Sequence, residues 1–489
     1  MNDIVATGSP TVGITAYSVY VPRYRLSRNE IAAAVGEVAR GERVVAGYDE
    51  DTTSMAVEAA RGALPNGGSR PASIWFATSE PAYWDKTNAT TVHAALGLDR
   101  SIGAFDLGAN SRAGAAAFLA ASRDQGMAVL SDIRGGRVGS GDERMGADGA
   151  AAFLFGDKDI LAHVVATSSV SEEFLDRWRT PGTVGAGTWE ERFGEREYVG
   201  LAEKVFDDLL KSSGIAQGDI SAVAVAGNNL RSVKSVTATL QRRTGGRADS
   251  TDLVNKFGNA GAAQLGLVTA DTLDQAKPGE LLLVVSLADG ADAFLLRTTD
   301  RLLDGKASVR VAAGNGLSVT YPTYLLWRGL VERELPRRPD PVRPSAPFSA
   351  RDREYKFAFS GGRCRTCGTV QFPLPRVCLR CRGVDSFDAV SAAGQRARVV
   401  TYTVDRLAFT PSPPLISAVL DLENGGRVQV ELTDVDPATV AVGDEVALTF
   451  RRLVTIDGIH NYFWKASPIR LHANAGTQEG DGNGAEFNQ

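Results

Sequence analysis

Continuous apolar runs alternate, along the first two thirds of the chain, with stretches rich in small residues. "SIWFATSE" (73–80) and "ADGAAAFLF" (147–155) read as strands with apolar side chains on both faces, the pattern of a sheet covered on both sides. "SRAGAAAFL" (111–119) reads as a helix with small residues all round, which suits an element buried between layers. The same patterns return in "AVAVAGNN" (222–229), "GNAGAAQLG" (258–266) and "ADGADAFLL" (288–296). Each copy keeps the order strand, small-residue helix, strand, and ordered recurrence at similar spacing marks a duplication. The helices "DTTSMAVEAARGAL" (51–64) and "GLAEKVFDDLLKSSGI" (200–215) precede the first strand of each copy. Strands alternating with helices make βαβ units. Two copies of one α/β unit, with small-residue helices between their sheets, predict a duplicated five-layered αβαβα domain. Ligands of α/β sheets bind at loops beyond strand ends, so the site is expected where loops of the two halves meet. Those loops carry Glu80, Ser111, Asn229 and Asn259.

"FDLGANSRAGAAAF" (105–118) predicts a strand, a sharp polar turn and a helix start, with Ser111 in the turn. Such an elbow sets a side chain at a helix N-terminus, where free N–H groups favour developing negative charge. Five further segments, "YVPRYRLSRNEIA", "GYDEDTTSMAVEAAR", "HVVATSSVS", "FGNAGAAQLGL" and "AKPGELLLVVSLADGADAF", carry a family likeness. With them the chain resembles the thiolase superfamily and, within it, the archaeal and bacterial 3-hydroxy-3-methylglutaryl-CoA synthases. The resemblance spans roughly residues 11 to 330, both halves in register. It implies an enzyme that joins or cleaves C–C bonds on CoA thioesters. The family's synthases use a cysteine nucleophile, a glutamate acid/base, a histidine, and an asparagine near the thioester. Glu80, in "ATSEPAY", falls at the glutamate, and Asn259, in "FGNAG", at the asparagine. Ser111 stands where the cysteine belongs. Ala226, or Gly227 one residue on, stands where the histidine belongs.

A serine hydroxyl is a poorer nucleophile than a cysteine and needs a base within reach. Three roles are open to Ser111: a nucleophile activated by Glu80, a hydrogen-bond partner of substrate, or a cap of the helix. Glu80 is expected in an apolar-walled pocket, where a carboxyl group can exchange a proton near neutral pH for enolisation or aldol chemistry. Its plainer reading is a surface loop residue. Asn259 could donate to a thioester or enolate oxygen, or shape the turn before the buried helix. Asn229 and Arg231 are the substrate-binding candidates. Arg231 and Lys234, in "NNLRSVKSV", would meet the anionic part of CoA, or else form a solvated helix face. His93 reads as a helix-face residue, His163 as structural, and His460 and His472 belong to the C-terminal region.

"RELPRRPDPVRPSAP" (333–347) reads as an extended linker or strap. Behind it, "CRTCGTVQFPLPRVCLRC" holds all four cysteines of the chain, Cys364, Cys367, Cys378 and Cys381. Two Cys-x2-Cys knuckles predict a closed, structural four-cysteine zinc site. Iron takes similar ligands, and two disulfides are disfavoured in a reducing compartment. The segments "RARVVTYTVD", "LISAVLDLE", "RVQVELTDV", "EVALTFRRLV" and "YFWKASPIRL" alternate in short strands with turn signals, predicting a small OB-fold barrel. Ribbon and barrel together resemble the zinc-ribbon/OB domain that partners many thiolase-like proteins. The expected domains are the two halves (1–160 and 161–330), a linker (331–355), the ribbon (356–385), the barrel (386–472) and a disordered tail (473–489).

Net charge is −5 with no basic run, which argues against nucleic acid and against a polybasic membrane surface. No signal-peptide pattern opens the chain, and its most apolar run is broken by Asp289 and Asp292, so a cytoplasmic protein is expected. The reading is an enzyme acting on acyl-CoA or acyl-carrier thioesters, of Claisen, aldol or acyl-transfer type, without the synthases' cysteine and histidine. The other reading is a non-catalytic scaffold binding CoA esters or a partner enzyme. From the resemblance, a homodimer or larger homo-oligomer is expected.

Overall fold

The computed structural model describes residues 12–64, 70–248, 250–304, 309–312, 316–334, 343 and 345–469. The tail expected to be disordered, 473–489, and His472 lie outside the described residues, as does part of the 331–355 stretch. The described part of that stretch is not wholly extended: it includes a helix at Ala346–Arg351.

Five strands of the first half are β1 (Gly13–Tyr20), β2 (Ser73–Thr78), β3 (Gly103–Gly108), β4 (Met127–Ile133) and β5 (Asp148–Gly156). Five of the second half are β6 (Ala162–Ser171), β7 (Ile220–Gly227), β8 (Arg247–Ala248), β9 (Leu281–Leu287) and β10 (Gly290–Thr298). They order as β3-β2-β4-β5-β1 and β8-β7-β9-β10-β6, and the repeat seen in sequence is thus a repeat in topology. The halves join through β1 and β6 at only Gly13↔His163 and Ile14↔Ala162. In each half the inner strands run parallel, β2 with β3 and β4, β7 with β8 and β9. Thr78 therefore lies level with Gly108, and Gly227 with Leu287. In each half the paired strands therefore release their loops at the same end of that half's sheet.

The helices α2 (Arg112–Asp124) and α5 (Gln264–Gln275) form the middle layer. Their apolar residues, Phe118 and Leu273 among them, share one core with strands of both halves. Small residues are required there. A Cβ on Gly114 would lie 2.5 Å from the Ala262 carbonyl oxygen, so the two copies' helix starts meet backbone to backbone. The outer layers are α1 (Thr52–Gly62) on the first half and α3 (Glu191–Ser213) with α4 (Leu230–Thr244) on the second. Asp51 caps α1 through a reciprocal box with Ser54.

The C-terminal strands β11 (Arg396–Asp405), β12 (Leu415–Leu422), β13 (Arg427–Leu432), β14 (Glu445–Ile456) and β15 (Ile459–Pro468) close a barrel ordered β11-β12-β13-β15-β14. The alternating burial of β12 and β13 matches their alternating sequence. The barrel packs on α1, and one apolar core runs from Phe76 of β2 through Met55 to Phe450 and Trp464. Charges are buried at this seam. Arg451 is fully enclosed, donating to Asp434 at 3.0 Å and to the Tyr20 hydroxyl at 2.8 Å, with Glu50 at 3.2 Å. Lys465 lies 3.0 Å from Asp49 and 2.8 Å from Glu431. Among the described residues no helix is long and apolar enough to cross a membrane.

Candidate functional site

The elbow after β3 turns at Ala109, whose φ of 80° is left-handed backbone that a side-chain-bearing residue rarely adopts. Asn110 Oδ1 accepts from the Arg112 N–H at 3.0 Å. Ser111 sits at the cap position of α2 with its backbone already helical, and its side chain makes no capping bond. Of the three roles open to Ser111, capping is therefore not the one realised. Arg112 ties the helix start to the second half, with Asp292 at 3.0 Å and the Asp289 carbonyl at 2.9 Å.

Ser111 lines an open cleft bordered also by Ser79, Arg134, Arg177, Asn228 and Asn229. The loops of both halves thus meet around it. One flank continues to Glu80, Trp84, Arg179 and Tyr324, the other to Asp142, Asn229 and Arg231. Among the described residues, no histidine or cysteine lines these surfaces. His93 is bonded to the Asp99 carbonyl at 2.9 Å, and His163 lies in β6.

Glu80 departs from the expected apolar-walled pocket. Its side chain is 49% exposed and pairs with Arg179 at 2.5 Å, while Arg179 also donates to the Ser79 carbonyl at 2.6 Å. Thr52 Oγ1 holds the Glu80 carbonyl at 2.8 Å. Two residues further, the loop meets the barrel: the His460 N–H donates to the Tyr83 hydroxyl at 2.7 Å, and His460 Nε2 lies 3.2 Å from the Ala82 carbonyl. Asn259 is buried beneath the cleft rather than on its wall. Its amide donates to the Gly227 carbonyl at 2.6 Å and accepts from the Gly261 N–H at 2.9 Å. Asn229 lines the cleft while capping α4 through Ser232 at 3.1 Å. Arg231 stands on the rim, half exposed and paired with Glu195. The structure therefore brings Ser111, Asn229 and Glu80 to one continuous cleft, keeps Arg231 at its edge and places Asn259 under it.

Sequence reasoning missed Asp132, Arg134, Arg177 and Arg179. Asp132 is fully buried and accepts from Ser79 Oγ at 2.7 Å and the Ala262 N–H at 2.8 Å. It fastens the loop after β2 to the turn that holds Asn259. Burial raises its pKa from the ordinary aspartate value, against the bonds from Ala262 and Ser79. Burial lowers the Arg134 pKa to about 10, helped by the neighbouring charge of Arg177. The available signal for Asp132 and Arg134 was two charges closing an otherwise apolar strand, "GMAVLSDIRGG".

At the ribbon, the sulfur atoms of Cys364, Cys367, Cys378 and Cys381 lie within 4.8 Å of one another, and none is in a disulfide. Cys364–Cys381 and Cys367–Cys378 are each 3.5 Å apart. A tetrahedral zinc with sulfur ligands at ≈ 2.3 Å needs sulfur–sulfur edges of about 3.8 Å, so the four cysteines fit such an ion.

Comparison with protein families matches residues 390–451 to the ChsH2 C-terminal OB-fold domain. The hydroxymethylglutaryl-CoA synthase of Caldivirga maquilingensis is 30% identical over 353 residues, covering 66% of this chain and 98% of that protein. The synthase of Methanopyrus kandleri is 31% identical over 316 residues, covering 60% and 89%. Among solved structures, MvaS in complex with 3-hydroxy-3-methylglutaryl coenzyme A aligns with a TM-score of 0.55 at 20% identity, covering 69% of this chain and 95% of that one. The curacin-pathway HMG synthase in complex with apo donor-ACP aligns with a TM-score of 0.55 at 18% identity, covering 65% and 88%. With its duplicated αβαβα unit followed by a four-cysteine ribbon and an OB barrel, this chain belongs to the hydroxymethylglutaryl-CoA synthase family.

Proposed function

We propose that the chain makes or breaks C–C bonds on acyl thioesters, carried by CoA or an acyl carrier, in the cleft around Ser111. The observation that supports this most is the Ser111 hydroxyl itself, set on a strained elbow at a helix N-terminus and left without a capping bond. Glu80 opens onto the adjoining surface and is the proposed acid/base for enolisation, aldol addition or the reverse. Its ion pair with Arg179 means that proton transfer begins by loosening that contact. Asn259, proposed from the resemblance as an oxygen donor, is better supported as the residue that shapes the cleft floor. Asn229 and Arg231 are the proposed contacts for the CoA arm. A covalent route would form an ester between Ser111 Oγ and the acyl carbon as the carbon–sulfur bond breaks, the serine proton leaving on CoA thiol. Without cysteine or histidine on the cleft wall, aldol-type turnover with no acyl-enzyme is the better supported route.

Intact-protein mass spectrometry after incubation with acyl-CoAs separates these routes. An acyl mass gain lost in Ser111→Ala supports transfer through serine, and turnover without a mass gain supports the aldol route. The ion pair that occupies Glu80 favours a second reading, a scaffold that binds CoA esters or a partner enzyme. Saturable CoA-ester binding with no turnover identifies it, and absence of both overturns the enzymatic proposal. In the ribbon we propose structural zinc: metal analysis is expected to find zinc in the wild type and none in Cys364→Ser.

A further inference from the structure

The loop that carries Glu80 is held by the barrel from two sides. The β14–β15 hairpin turns on Asp457 and Gly458, both left-handed, with φ of 52° and 75°, the backbone that a two-residue Asp-Gly turn supplies. That turn sets the register Thr455↔His460, and Thr455 Oγ1 lies 2.8 Å from His460 Nδ1. The other ring nitrogen, Nε2, faces the Ala82 carbonyl at 3.2 Å. A carbonyl only accepts, so Nε2 carries the proton and Nδ1 of the neutral ring accepts from Thr455. Burial and the charge of Arg452 lower the His460 pKa, which favours this neutral form. The His460 N–H donates to the Tyr83 hydroxyl at 2.7 Å, and the two rings pack with centroids 4.7 Å apart. The barrel also reaches the loop through α1. The Tyr462 hydroxyl donates to Asp51 at 2.7 Å, and the next residue, Thr52, holds the Glu80 carbonyl at 2.8 Å. Arg452 adds a bond from its N–H to the Asp49 carbonyl at 2.9 Å. The half-exposed Glu80 carboxylate itself is held, among the described residues, only by Arg179. Its direction is therefore set by the backbone of residues 80–83 more than by packing.

We infer that the barrel is a working part of the site, and that His460 is a positioning residue that fixes the Glu80 loop at Ala82 and Tyr83. A carboxylate transfers a proton only within hydrogen-bond reach of it, and a misplacement of about 1 Å can cost on the order of 10² in rate. Adhesion of the barrel does not need these contacts. The shared apolar core and the ion pairs of Arg451 and Lys465 already fasten it to the first half. What the hairpin end adds is a hold on the loop that presents Glu80. The inference rests on the reading of Glu80 as the acid/base.

Exchange of the α-protons of acetyl-CoA and propionyl-CoA for solvent deuterium, catalysed by the full chain and followed by NMR, reads the proton-transfer step alone. His460→Ala is expected to lower kcat for exchange about tenfold or more with KM little changed. His460→Gln, whose amide can donate to the Ala82 carbonyl, is expected to bring kcat back to within about threefold of wild type. On a Glu80→Gln background, His460→Ala is expected to cost nothing further, because it acts through Glu80. An unchanged kcat in His460→Ala, a loss that His460→Gln does not recover, or the same loss again on the Glu80→Gln background would each overturn the inference. Should His460→Ala not fold, Tyr83→Phe removes the hydroxyl that accepts from the His460 N–H. It is expected to lower kcat in wild type but not on Glu80→Gln, and no loss in wild type overturns the inference. If the wild type exchanges no α-proton, the acid/base reading of Glu80 fails by itself. Amide hydrogen exchange then decides the role of His460: faster exchange of residues 80–84 in His460→Ala or Tyr83→Phe supports it, and unchanged exchange refutes it.

Discussion

At the scale of single residues, the elbow holds Ala109 at φ 80° where glycine would sit without strain. Replacing Ala109 by Gly is expected to stabilise the protein by about 1 kcal/mol, read by urea unfolding, because a left-handed non-glycine residue costs on the order of 1–2 kcal/mol. A loss of stability in Ala109→Gly would show the strain to be absent. For Glu80→Gln, kcat is expected to fall by roughly 10²–10⁴ with KM little changed, the signature of a lost proton-transfer group. An unchanged kcat would remove Glu80 from the chemistry. The motif positions were legible because strand, turn and small-residue helix are written contiguously around Ser111. The partners were not. Arg179 reaches Glu80 from far along the chain, and nothing in "DRWRTPG" marks it as the residue that would close over a loop of the first half.

At the scale of elements, the two outer helices show what sequence pattern can and cannot convey. Helix α3 is amphipathic, with Tyr198, Val205 and Leu209 turned inward and charged residues outward, as its sequence predicts. Helix α1 is buried on nearly every face, and its alanine-rich sequence foretells burial without saying against what. The answer is β14 of the barrel, whose Phe450 N–H donates to Glu58 Oε1 at 2.8 Å, while Arg61 holds the other oxygen at 2.6 Å. Burial pushes the Glu58 pKa up, but Arg61, Arg451 and the Phe450 N–H outweigh it and hold it below its unfolded value of 4.5. The stability Glu58 contributes is therefore complete above pH 4.5 and lost as pH falls through its lower folded pKa. Thermal melts between pH 3 and 7 are expected to show Glu58→Gln less stable by about 1–2 kcal/mol at neutral pH, with a shallower loss in acid. A variant as acid-sensitive as the wild type would count against this account.

At the scale of the whole molecule, the duplication, the ribbon and the barrel were readable as separate parts, since each carries its own periodicity or cysteine spacing. Their union was not, because Asp49 and Glu50 lie about four hundred residues from Arg451 and Lys465 in "FRRLVTIDGIHNYFWK", beyond any local pattern. At the other edge of the sheet, β3 leaves Phe105 47% exposed beside Trp75. An unpaired edge with an apolar face invites a second copy, so light scattering is expected to find a dimer that Phe105→Asp turns into monomer. A wild-type monomer would refute this. The sealed seam between α1 and the barrel carries a thermodynamic consequence. Opening the barrel exposes the apolar core shared by Met55, Phe76, Phe450 and Trp464 to water and breaks the ion pairs of Asp49 and Glu50, so neither part keeps its stability once the other has opened. What are three units to the eye are coupled in melting, and calorimetry should see the first half and the barrel denature in a single cooperative transition.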